Sequence, residues 1–311
     1  MPSQTTAIFT HDLSFANDLG EVCPEAPRRV EAVLDAILAC GLDALCPVVK
    51  VDEPASRQDV LRAHDAAYLE SLEKLDFTQK AGPVALTTDT WMASQSLEAA
   101  MLSAGTVLEA TRAVDAGRFA NAFCLVRPPG HHAGISRAQG FCLINSIAVA
   151  VRYALDVLGM KRVAVIDIDA HHGNGIEEIL AEDERVALFS FYEQNLLGAT
   201  ASAASNVAKL ALLPGTTGAE VIDKVRVSWV EPIARFAPEM IFVAAGFDAH
   251  IEDEMSDLAF TDRDYARLTR LIVETADAVC SGRLVSSLEG GYNARVLARC
   301  ALAHVRALSR I

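Results

Sequence analysis

The stretch VAVIDIDAHHGNG, Val163 to Gly175, opens as an apolar, β-rich run and passes straight into carboxylates and imidazoles. An uncompensated charge buried there costs several kcal/mol, so the run needs partners for Asp167, Asp169 and His171. In a strand, side chains two residues apart share a face. That predicts one column of Asp167, Asp169 and His171, with Ile166 and Ile168 packed on the other side. The carboxyl end of a buried parallel strand is where open α/β sheets bind ligands. Neighbouring carboxylates repel and a cation compensates them. Imidazole and carboxylate suit a zinc-like ion, which in catalytic sites keeps three protein ligands and one open position. Asp248, at the end of VAAGFDAH, supplies a third ligand beside Asp169 and His171.

Outward from this stretch, short β-rich runs alternate with longer amphipathic segments, the pattern of a parallel sheet with helices on both faces. Strands are expected at FCLVR (123–127), RVAVIDID (162–169), VALFSF (186–191), MIFVAAGF (240–247) and RLVSSLE (283–289). Helices are expected from Pro27 to Cys40, Thr90 to Ala116, Ile144 to Leu158, Ala219 to Phe236, Asp262 to Cys280 and Ala294 to Leu308. No repeat or Pro/Ser-rich linker interrupts the alternation, so residues 1–311 read as a single α/β domain. The stretch 195–205 reads as a long loop.

Two further motifs follow strands. RPPGHHAG, Arg127 to Gly134, brings His131 and His132 out of a tight turn, an arrangement better suited to proton transfer than to metal binding when the next strand already offers ligands. SLEGGYN runs through Gly290 and Gly291, which let the backbone turn sharply and present the phenol of Tyr292.

The chain has 27 Lys and Arg against 41 Asp and Glu, a formal charge of −14 that argues against a nucleic-acid footprint. Its seven cysteines form no CxxC pair and read as free thiols of a reducing compartment. The N-terminal MPSQTTAIFTHDLSF lacks the basic and apolar regions of a secretory signal. No run approaches the ~20 apolar residues that span a bilayer. A cytoplasmic protein without a membrane partner is the expectation.

In their order, RPPGHHA, GFCLIN (140–145), VIDIDAHHGNG, AGFDAH and LEGGYN resemble the histone deacetylase family, which has the arginase-like deacetylase fold. CPEAPRRV is similar to that family's N-terminal PExPxR segment, and HHGNG, with Asn174, resembles the class II side with its bacterial amidohydrolases and acetylpolyamine amidohydrolases. The resemblance implies Asp169, His171 and Asp248 as metal ligands, His131 and His132 as tandem catalytic histidines, and Tyr292 as the catalytic tyrosine. It implies Asp167 as the acid that orients His131 and also touches a structural potassium, completed by Ser190 and Phe191. Asn174 stands where the partner of His132 belongs. A neutral amide stabilises an imidazolium less than a carboxylate does, so His132 is expected to be the less basic of the pair or a neutral donor.

The implied reaction is hydrolysis of an acyl amide on a primary amine, N-acetyl-lysine or an acetylpolyamine, with zinc, ferrous iron or cobalt as the ion. Gly140 and Phe141 match one wall of the family's narrow channel. Opposite it, where the family has an aromatic, the chain offers only the 195–205 stretch. Met255 matches the entrance. An inward Glu254 would favour a polyamine, Asp89 would hold substrate main chain at the rim, and Arg29 matches an arginine of an internal cavity or else lies on a helix surface. An arginase-type ureohydrolase shares the fold but needs more carboxylates for a second metal, and His171, His172, Gly173 and Asn174 do not provide them. A catalytically silent acyl-lysine-binding scaffold would lack Tyr292 or a ligand, and none is missing.

Overall fold

The run Val163–Asp167 is a strand buried along its whole length, because strands lie on both of its edges: Asp167 is in register with Ser190 on one side and Ala244 on the other. The structure is a computed structural model describing residues 5–20, 23–77, 82–198 and 204–311. Its strands are β1 (Thr6–Thr10), β2 (Val48–Lys50), β3 (Val84–Ala85), β4 (Trp91–Met92), β5 (Asn121–Cys124), β6 (Val163–Asp167), β7 (Val186–Glu193), β8 (Val207–Leu212), β9 (Met240–Ala245) and β10 (Leu284–Leu288). Its helices are α1 (Leu13–Ala16), α2 (Arg28–Ala39), α3 (Arg57–Val60), α4 (Ala66–Glu73), α5 (Ser96–Asp115), α6 (Ser146–Asp156), α7 (Asn174–Leu180), α8 (Gly218–Ser228), α9 (Val230–Phe236), α10 (Asp262–Cys280) and α11 (Ala294–Leu308), with a 3-10 turn at Leu42–Ala44.

Eight strands form one sheet in the order β2-β1-β5-β10-β9-β6-β7-β8, and every pairing in it is parallel. Parallel sheets need cover on both faces, and alternate strand residues supply two separate cores. Ala164, Ile166, Ile241 and Val243 pack with α2, α8, α10 and α11. Val163, Val165, Met240 and Phe242 pack with α4, α5 and α6 on the opposite face. The fold is therefore the single-domain α/β sheet with helices on both faces that the alternation implies.

Several boundaries differ from the pattern. β6 ends at Asp167, two residues early, and β5 ends at Cys124. The helix expected from Thr90 begins at Ser96, since Trp91–Met92 pair with Val84–Ala85 in a short antiparallel ribbon. The helix expected over Ala219–Phe236 is broken at Trp229 into α8 and α9. Pro232 has no N–H to give the carbonyl four residues back and its ring clashes there. Of the 195–205 stretch, residues 195–198 form turns and 204–205 lead into β8, while 199–203 lie outside the described residues.

Candidate active site

The turn after β6 is built by the site's own carboxylates. The Asp169 N–H donates to Asp167 Oδ1 at 3.1 Å, the His171 N–H to Asp169 Oδ1 at 2.8 Å, and the Ala170 N–H to Asp248 Oδ1 at 2.9 Å. This replaces the extended column expected from strand geometry: Asp169 and His171 lie beyond the strand, on a turn. They still meet Asp248, and the donor atoms of the three lie within 4.8 Å of one another. Gly290 makes room for them, because a Cβ there would stand 2.4 Å from Asp248 Oδ2 and 2.5 Å from Asp169 Oδ2. Its N–H instead donates to Asp169 Oδ2 at 2.8 Å.

The donor set fits a small divalent cation. His171 Nδ1 stands 3.2 Å from Asp169 Oδ1 and 3.0 Å from Asp248 Oδ2, close to the ~3.3 Å edge of a tetrahedron with bonds of about 2.0–2.1 Å. Burial and the neighbouring Asp169 charge push the Asp248 carboxyl up to about 7, against the pull of His171. Burial works the same way on Asp169, but His131 and His171 outweigh it and hold Asp169 below the usual carboxylate range. Two carboxylates so opposed in a dry site are the electrostatic situation a cation resolves. Among the described residues a second cluster, His250, Asp262 and Cys300, brings three metal-type donors together. His250 Nδ1 accepts the Glu252 N–H at 3.1 Å, which puts the imidazole proton on Nε2, donating to Asp262 Oδ1 at 2.9 Å. With Cys300 Sγ also donating to Asp262 Oδ1, that cluster forms a hydrogen-bonded tie between α10 and α11.

The two adjacent histidines sit beside the ligand set with ring centres 4.0 Å apart. Their loop is clamped from both sides. Glu289 Oε2 accepts the Gly130 and His131 N–H groups at 2.7 and 3.1 Å. Asn145, which caps α6, donates Nδ2 to Ala133 O at 3.0 Å, and His64 Nδ1 donates to Gly134 O at 2.9 Å. His131 Nδ1 meets Asp167 Oδ2 at 3.1 Å. Burial opposes charge on His131, yet Asp169 and Asp167 outweigh it and push the imidazole up to about 10. His132 Nδ1 meets Asn174 Oδ1 at 2.8 Å. Burial, then the positive character of His131 and His171, holds His132 well below its ordinary value.

A cavity of about 220 Å³ reaches this machinery, lined by Asp89, His132, Gly140, Phe141, His171, Leu197, Met255 and Tyr292. Gly140, at φ +54°, is a position where a Cβ would stand 2.3 Å from His132 Cδ2. The acid at the mouth is Asp89, whose Oδ2 accepts the Gly140 N–H at 3.2 Å; Glu254 is exposed and lies outside the lining. Leu197 supplies an aliphatic wall from the stretch in which no aromatic was available. Tyr292 is held through its backbone, Asp253 Oδ2 accepting the Tyr292 and Asn293 N–H groups at 2.7 and 3.0 Å. Burial pushes its phenol well above the ordinary value, and Asp248 and Asp169 add to this against the opposing Arg29, so the hydroxyl remains a donor. Ser190 is in register with Asp167, and its Oγ lies 3.3 Å from Phe191 O and 2.9 Å from His172 Nδ1.

Arg29 is fully buried beneath the site, against the helix-surface alternative. It donates to Gly291 O at 2.6 Å and to the Glu289 carbonyl, and its guanidinium lies 4.8 Å from the Tyr292 ring centre. Glu25 joins it to Arg127, with contacts of 3.1 Å to Arg29 and 2.8 Å to Arg127 Nη2, all three side chains being dry. Glu25→Ala leaves two buried guanidiniums without a carboxylate and is expected to cost about 3–5 kcal/mol. Urea unfolding measures this, and a loss under about 1 kcal/mol would show that the arginines do not depend on Glu25.

Sequence patterns passed over Gln139 and Leu197 and gave Asp253 no role. Asp253 stands in the acidic run IEDEMSD, which looks like a solvated surface, and only its burial in the structure sets it apart. No helix among the described residues is long and apolar enough to cross a membrane.

Known proteins share the sequence and the fold. Residues 23–308 match the histone deacetylase domain. The chain is 34% identical over 297 residues to a histone deacetylase-like amidohydrolase of Pseudomonas aeruginosa, covering 93% of this chain and 76% of that protein. It is 28% identical to type-2 histone deacetylase 2 of Dictyostelium discoideum, of which it spans only 21% while 98% of this chain is matched. The crystal structure of the HDA15 HD domain superposes with a TM-score of 0.89 at 28% identity, over 98% of this chain and 88% of that one. With its domain match spanning nearly the whole sheet and all five motifs, the chain belongs to the histone deacetylase family.

Proposed function

We propose that the protein is a zinc-dependent amidohydrolase that removes an acyl group, acetyl first among them, from a primary amine of the acyl-lysine type. The observation that carries this reading is that His132, His171 and Tyr292 line one narrow cavity, and that His171 is at the same time a member of the Asp169, His171 and Asp248 donor set. A bound divalent ion there supplies Lewis-acid polarisation of the amide carbonyl and lowers the pKa of water toward about 7. His132 takes the proton of the attacking water through Nε2. Tyr292 donates its hydroxyl to the oxyanion that develops on the former carbonyl. His131, held by Asp167, or His132 returns a proton to the leaving amine. Ferrous iron and cobalt suit the same donors, and a potassium ion at Asp167, Ser190 and Phe191 would neutralise the inner carboxylate. Unpaired thiols at all seven cysteines support a reducing, cytoplasmic setting.

Phe141, Leu197 and Met255 favour an aliphatic chain in the channel, and Asp89, already bonded to Gly140, is the acid at its mouth. Read as the acid that holds substrate main chain at the rim, Asp89 supports acyl-lysine over acetylpolyamine, which has no peptide backbone to offer it. Turnover of an acetyl-lysine peptide, longer-acyl lysines, N-acetylputrescine and N-acetylspermidine by metal-quantified protein tests it. Preference for the peptide is expected; preference for an acetylpolyamine overturns the substrate assignment, and no turnover of any of them overturns the activity.

A further inference from the structure

His132 serves as a base only if Nε2, the nitrogen not engaged by Asn174, is bare. The ring proton must then sit on Nδ1 and be donated to Asn174 Oδ1, 2.8 Å away. A carboxylate at 174 would fix that arrangement by itself, since it only accepts. An amide accepts at one end and donates at the other. Turned over, it would offer Nδ2 to His132 Nδ1, draw the ring proton to Nε2 and abolish the base. Asn174 and His132 are both buried, so bulk water does not decide which way the amide lies.

In the structure its second partner takes the accepting role. Asn174 Nδ2 donates to Gln139 Oε1 at 2.8 Å. Gln139 is held by a doubly bonded turn: its N–H donates to Cys142 O at 3.2 Å and it accepts the Cys142 N–H at 2.9 Å. The two residues between, Gly140 and Phe141, have φ of +54° and +65°, the signature of the tightest hairpin turn. The side chain therefore leaves a rigid point directed at Asn174.

The geometry points to Gln139 as a positioning residue that, by accepting from Asn174, keeps the Asn174 oxygen toward His132 and so keeps His132 in its Nδ1–H form with Nε2 free. The inference rests on the deacetylase reading for its effect on turnover, but the tautomer is observable without any substrate. Because amides carry both a donor and an acceptor, changing the character of residue 139 changes the tautomer in a stated direction. Gln139→Glu only accepts and preserves it. Gln139→Lys only donates, turns the Asn174 amide over and moves the ring proton to Nε2. Gln139→Leu does neither and leaves a mixture.

The test uses full-length, metal-loaded protein with labelled histidine, reading the two ring nitrogens of His132 in two-bond proton–nitrogen spectra alongside kcat and KM. Wild type and Gln139→Glu are expected to show a protonated Nδ1 and a bare Nε2, with kcat within about threefold of each other. Gln139→Lys is expected to show the reverse, with kcat lowered about 100-fold and KM little changed, since the wrong tautomer removes the base and leaves binding intact. In an Asn174→Asp background, where residue 174 can only accept, Gln139→Lys is expected to cost no more than about threefold. A wild-type His132 protonated at Nε2 overturns the inference. So does a Gln139→Lys protein whose tautomer is unchanged, even if its activity falls. Absence of amide hydrolysis in the wild type would remove the proposed function and leave the nitrogen spectra to decide the role of Gln139.

Discussion

Tyr292→Phe is expected to lower turnover of an acylated amine by about 100- to 1,000-fold, the usual loss when one oxyanion donor is removed from a dry site. The substitution takes away the hydroxyl alone. The Phe141 ring 5.6 Å away, the Arg29 guanidinium and the backbone grip of Asp253 all remain. His132→Ala is expected to be more severe, about 10,000-fold, because it removes the proton acceptor from the attacking water. Neither residue belongs to the ligand set, so metal content measured by elemental analysis should match the wild type in both. Near-normal turnover in either variant would take that residue out of the chemistry, and lost metal would mean that it had been misplaced as a bystander to the ion.

Asp248→Asn should separate metal binding from folding in opposite directions. Stoichiometric metal is expected to be lost and turnover to fall below about one ten-thousandth of wild type, since a three-ligand site cannot hold its ion on two. The chelator-treated variant should nonetheless be more stable than chelator-treated wild type at pH 8, by about 1–3 kcal/mol. Asn keeps an oxygen for the Ala170 N–H and removes a buried charge that repels Asp169. Urea unfolding of both metal-free proteins reads the difference. A variant that retains full metal, or a metal-free variant less stable than its parent, contradicts the assignment of Asp248 as a ligand held under electrostatic strain.

Five of the eight strands in the main sheet, and the order of the motifs at their ends, were legible because buried parallel strands are continuous apolar runs. The other three were not. β1 is five residues long and runs at once into polar His11 and Asp12, and β2 has three residues. β8 is an edge strand carrying Lys209, whose ammonium is tied to Glu177 at 3.0 Å, a partner no local pattern reveals. Within the site, residue types that sit at motif positions could be read directly. Their support could not: Asp253 and Gln139 act through hydrogen bonds to chain segments far away in sequence, and Leu197 is one apolar residue in a stretch without periodicity. The strand rule put Asp169 and His171 on a column that ends before reaching them, since nothing in the alternation of apolar residues announces that aspartates will fold the next turn.

That turn has a kinetic meaning. Each of the carboxylates at 169 and 248 uses one oxygen to accept a backbone N–H of the turn, so its rotamer is fixed before any ion arrives. Little side-chain freedom remains to be lost on capture. The speed of metal uptake should then follow how fast each kind of ion sheds its water, with the polypeptide standing still.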